Sequence, residues 1–121
     1  MLQRHADIDA IYVAWDVAAE GVVEAVRAAG RADDVKVISH DLGAANALDM
    51  AEGGIYYGTV ADKPYEVGRA LADLAAYGLL DKEAPPFVAV GLIPVKRDNL
   101  ADAWLQSLNI PLPTPVAEAL N

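Results

Sequence analysis

The chain has 121 residues, 55% of them hydrophobic, with 18 acidic residues against 9 Lys and Arg and a net charge of −9. That field repels phosphate backbones and argues against a nucleic-acid partner. The absence of cysteine excludes disulfides and thiolate chemistry, and no apolar run approaches the roughly 20 residues that span a bilayer.

A mean hydropathy of +0.22 suits one domain, or part of one, with a buried sheet. The opening Met1 to Asp7 lacks the apolar stretch of a secretory signal. Residues 2–6 read as the last turn of a helix, and Ile8 to Trp15 as a first strand. Val22, Val23, Val26 and Ala29 share one helical face, and Gly30 supplies the stop. Val35 to Ser39 is short and β-branched, a second strand. Ala44 to Glu52 forms a brief helix halted at Gly53 and Gly54, and Ile55 to Ala61 a third strand.

Pro64 then stands where a first helical turn tolerates it, followed by Val67, Leu71 and Leu74 at helical intervals, with Gly78 at the end. Ala84-Pro85-Pro86 is a connector, and Phe87 to Val95 reads as a fourth strand interrupted at Pro94. Asp98 is placed to cap a helix holding Leu100, Trp104 and Leu108. A Pro-rich tail over about 110–121 reads as extended, with room for a helical turn from Val116 to Leu120. Strands alternate with helices, which predicts an α/β domain: a parallel sheet between helical layers, three layers in all. No repeat of 20 to 50 residues is present. The chain opens as though an earlier strand and helix preceded it.

Three strand-like runs end on an acid: at Asp16, Asp41 and Asp62. Strand tips feeding helix N-termini are where open α/β sheets place ligands. Trp15 and Asp16 fit two roles equally well. Trp15 can offer a flat face to sugar C–H groups beside a carboxylate that accepts from hydroxyls; or it closes the core edge while Asp16 caps the next helix. His40 and Asp41 are strand neighbours expected to point to opposite faces, which argues against an acid–base dyad. Asp41 either caps the helix from Ala44 or reaches into a cleft, and Asp62 either punctuates the helix at Pro64 or contacts a ligand. Phosphate-loop, dinucleotide and nucleophile-elbow motifs are absent, and His5 and His40 lack metal-site spacing. The reading is a binding module, with no catalytic residue, metal or cofactor assigned.

In order and spacing these segments resemble the C-terminal portion of the type I periplasmic sugar-binding proteins, the ribose-binding-like group. The resemblance rests on Asp7-Ile-Asp-Ala-Ile-Tyr-Val-Ala-Trp-Asp16 running to Gly21, on Val37 to Gly43, on Gly58-Thr-Val-Ala-Asp-Lys-Pro64 running to Gly68, and on Ile93 to Asn99. It implies an incomplete periplasmic-binding-protein-like lobe over 1–121. It also implies reversible binding of a monosaccharide or related small polyol for an ABC transporter, working with that transporter's permease in the periplasm. Trp15 falls at a contact position where the ribose binders use Asn, and Asp41 at the carboxylate that grips sugar hydroxyls. Asp62 falls at a hinge position where those proteins place Gln, and Asp16 supports the binding loop. The resemblance further implies that the helix from Pro64 belongs largely to a second lobe, so the chain alone is expected to expose a sheet edge and apolar surface and to form a homodimer. The alternatives are the sugar-sensing domain of a repressor and a stand-alone α/β interaction module.

Overall fold

The computed structural model describes residues 1–121 and places ten short elements along the chain. These are β1 (Ala10–Val13), α1 (Asp16–Ala28), β2 (Lys36–His40), α2 (Ala44–Ala51), β3 (Tyr56–Ala61), α3 (Pro64–Leu79), β4 (Ile93–Val95), a single 3-10 turn (Arg97–Asn99), α4 (Leu100–Leu108) and α5 (Thr114–Leu120). The four strands lie in the order β1-β2-β3-β4. The first three are parallel, as the alternation of strands and helices predicts.

The fourth departs from expectation in length and direction. Only Ile93–Val95 pairs, and it runs antiparallel to β3, with Ala61 opposite Ile93 and Thr59 opposite Val95. The cause lies in the path of residues 64–92, which leave the sheet at the end of β3 and return to that same end. A chain that comes back to the end it left must run antiparallel. Pro94 is tolerated because β4 is an edge strand. Residues 83–92 form no strand and make no backbone hydrogen bond.

Two right-handed crossovers stepping the same way along a sheet put α1 and α2 on one face. Under them lie Ile11, Val37, Ala61 and Val95, packed with Val23 and Val26 of α1 and Met50 of α2. Leu100 and Trp104 of α4 and Val116 of α5 join the same core. The tail is therefore only partly extended. After the Trp104 indole N–H donates to the Pro111 carbonyl at 3.2 Å, a helix starts at Thr114, its first turn accepting Pro115.

The opposite sheet face is bare. A bulge opposite Val37 and Ile38 makes Tyr57 the extra residue of β3. That face then carries Tyr12 at 70% exposure, Ile38 at 37% and Tyr57 at 50%. The chain thus supplies two of the three expected layers.

Candidate functional site

The C-terminal ends of the three parallel strands form one acidic rim. At β1, Trp15 is the first boundary residue of α1, in extended conformation, and it is 56% exposed. It does not close the core edge. Asp16 is the first helical residue rather than the cap, and its Oδ1 accepts from the Val17 N–H at 2.7 Å. A carboxylate in that first turn is favoured by the positive helix end. Its carboxylate lies against Gly43, where a Cβ would clash with Asp16 Oδ2. Buried Asn46 of α2 donates its amide to the Asp16 carbonyl at 2.7 Å. The start of α2 is thereby tied to the β1 tip.

Asp41 follows β2 with φ at 70°, the left-handed region that Asp tolerates better than most residues. Its N–H donates to the Val60 carbonyl at 3.0 Å, and Thr59 Oγ1 donates to its carbonyl at 2.6 Å. The backbone is therefore locked while the side chain, 43% exposed, is presented upward. It does not cap α2, whose boundary residue is Gly43.

The left-handed turn also cancels strand alternation. His40 and Asp41 come to the same side, with His40 Nε2 3.8 Å from Asp41 Oδ1 and 3.1 Å from Asp62 Oδ1. The expected separation of His40 from Asp41 is overturned, because alternation holds only while the backbone stays extended. Asp62 is itself anchored: its carbonyl accepts from Ser107 Oγ of α4 at 2.5 Å. It also lines a hollow of about 210 Å³ between α3 and Val88 to Leu92.

Desolvation raises the Asp41 pKa above the usual carboxylate value, and the neighbouring Asp62 and Asp16 carboxylates push the same way, against an opposing pull from His40. The rim thus presents three carboxylates, which accept up to several hydroxyl hydrogen bonds, beside one exposed indole face. His40, Asp41 and Asp62 place one ligand atom each within 4.8 Å of one another, and the group is solvent-facing. Sequence reasoning missed His40 as a member of the rim. It also missed Asn46, whose place early in α2 carried no signal that it would bond across to the β1 tip.

Comparison with known proteins bears on the fold and the family. Residues 1–107 match the periplasmic binding protein domain. The D-allose-binding periplasmic protein of Escherichia coli strain K12 is 39% identical over 104 residues, which cover 80% of this chain and 33% of that protein. An ABC transporter solute-binding protein from Agrobacterium vitis, solved with bound allitol, is 26% identical with a TM-score of 0.70, over 84% of this chain and 36% of its own. A 5-methylthioribose transporter solute-binding protein from Thermotoga lettingae shares the fold over 99% of this chain and 37% of its own, with a TM-score of 0.71 at 24% identity. The chain spans about a third of the length of the relatives it matches. By name these are a sugar-binding periplasmic protein and two transporter solute-binding proteins. With its match running through all three strand tips of the rim, the chain belongs to the periplasmic binding protein domain family.

Proposed function

We propose that this chain forms one wall of a cleft for a monosaccharide or small polyol in an ABC-transporter solute-binding protein that works in the periplasm with a membrane permease, and that the chain alone self-associates as a homodimer. The observation that carries the sugar reading is the rim itself. Asp16, Asp41 and Asp62 stand on three adjacent strand tips, and Trp15 stands exposed at the first of them. Carboxylates accept hydroxyl hydrogen bonds, and an indole face covers the apolar side of a sugar ring. Relatives that carry D-allose in their name or allitol in their crystals support this ligand class.

The chain's two tryptophans make the test direct. Trp15 is 56% exposed and Trp104 only 4%, so ligand-dependent changes in emission report on Trp15. Titration with D-allose and with allitol should shift and enhance the emission saturably, and Trp15→Phe should abolish the change. No response to either ligand, with the fold intact by circular dichroism, would remove the sugar reading.

A further inference from the structure

The acids of the rim have one basic neighbour. Arg27 pairs with Glu24 and Asp49, Arg31 with Asp34 and Arg69 with Glu66, and none of the nine Lys and Arg pairs with Asp16, Asp41 or Asp62. His40 alone does so, with Nε2 3.1 Å from Asp62 Oδ1 and 3.8 Å from Asp41 Oδ1. The first distance is a hydrogen bond and the second is too long for one. An ionised carboxylate only accepts, so the bond assigns the Nε2–H form of the ring. The backbone places that ring. His40 is the last residue of β2, in register with Val60, and the left-handed turn at Asp41 folds the next carboxylate back beside it.

This bond decides which oxygens a ligand meets. Asp16 Oδ1 accepts from Val17 and Asp62 Oδ1 from His40, which leaves Asp62 Oδ2 and the Asp41 carboxylate for hydroxyl donors. Two carboxylates this close repel. Burial, then Asp62, and last Asp16 push the Asp41 pKa up, and His40 is the one group that pulls it down. By donating to Asp62, His40 holds that side chain in one orientation and offsets part of the repulsion. A ligand then finds the acceptors already ordered and does not spend binding energy ordering them.

We propose that His40 is a positioning residue of the rim: its Nε2–H fixes the Asp62 carboxylate beside Asp41, so that the two present their free oxygens together to ligand hydroxyls, and protonation of the ring draws both carboxylates away from the ligand. This rests on the reading of the rim as a sugar site, and it adds a donor and a pH dependence to that site. The charged groups at the ring are Asp41 at the end of its own strand and Asp62 at the end of β3, with Asp16 at the start of α1 the next acid along the rim. Ser107 of α4, which holds the Asp62 carbonyl, is uncharged. Imidazole is the side chain whose ordinary titration falls between pH 5 and 8. A charged N–H bonds a carboxylate more strongly than a neutral one does. As pH falls, the ring therefore competes harder with hydroxyls for the same oxygens, and sugar affinity falls.

The test titrates wild type, His40→Gln and His40→Leu with D-allose at about pH 8 and about pH 5.5, reading the saturation midpoint from Trp15 emission. Gln offers an uncharged N–H donor in place of Nε2–H, and Leu offers none. At the higher pH, His40→Leu should bind roughly tenfold more weakly than wild type, because Asp62 loses its donor, and His40→Gln should recover most of that loss. Between the two pH values wild-type affinity should drop about threefold, and that of His40→Gln clearly less, since only carboxylates still titrate at its rim. Three results overturn the proposal and leave the sugar reading standing: a Leu variant that binds like wild type, a Gln variant no better than Leu, or a Gln variant with the full wild-type pH dependence. If the Leu variant is unfolded by circular dichroism, the pH comparison of wild type with Gln decides alone. No wild-type response to D-allose or allitol at either pH is a different failure, which removes the sugar reading and this inference with it.

Discussion

At the level of single residues, the binding role proposed for Asp41 opposes its contribution to folding. Burial and the adjacent Asp62 and Asp16 hold its folded-state pKa above the ordinary carboxylate value of 3.8. The sign of the linkage follows. Well below pH 3.8 the group is protonated in both states and contributes no difference. As pH rises through that value and then through the raised one, the unfolded state ionises first, and folding stability falls. Asp41→Asn removes this penalty, and Asn also accepts a left-handed backbone. The expected outcome is a higher melting temperature than wild type at neutral pH, with the gain vanishing in thermal melts below pH 3.8. The same change should weaken sugar binding by about 2 kcal/mol, roughly thirtyfold, because hydroxyls lose a charged acceptor. Calorimetric titration checks that half. A variant that loses stability at neutral pH, or that binds as before, would contradict the role given to Asp41. The carboxylates at 16, 41 and 62 were legible in the sequence because each ends an apolar run. The inclusion of His40 was not, because it depends on one φ angle that no pattern of residue types encodes.

Among the elements, the joint between α2 and β3 hangs on one buried carboxylate. Asp49 accepts from the Tyr56 N–H at 2.7 Å and from the Arg27 guanidinium of α1, fastening two helices to a strand. Gly54 passes so close that a Cβ there would stand 2.5 Å from Asp49 Oδ1. Asp49→Ala leaves a buried strand N–H without an acceptor, so urea unfolding should show a loss of about 2–3 kcal/mol. Gly54→Ala should cost a similar amount by displacing the same carboxylate. The double variant should then fall well short of the sum, since both changes break one network. Full additivity would show that the two act separately. Helices α1 to α4 and the three parallel strands followed from apolar spacing and from the stops at Gly30 and Gly53. The fourth strand did not, because Phe87 to Val95 has strand composition throughout and only the return path of the arm decides which part finds a partner.

At the scale of the whole molecule, the rim stands open on its outer side. Trp15 is 56% exposed, and the Asp41 and Asp62 side chains are 43% and 49% exposed, so a ligand resting there remains open to water on its other side. Affinity depends on enclosure and desolvation more than on the number of acceptors. The chain alone should therefore bind its sugar with a Kd of about 1 mM or weaker, near −4 kcal/mol. Saturation at micromolar ligand would show that the site is closed from above by some other surface.

By itself the sequence determined the α/β class, the three strand tips bearing acids and the family resemblance. All of these are carried by local patterns: apolar periodicity, helix stops and short motifs in order. Tertiary structure alone decided which acids share a rim with His40 and that β4 runs antiparallel. Those features depend on where the chain turns and returns in space, which is not written in the neighbours of any one residue.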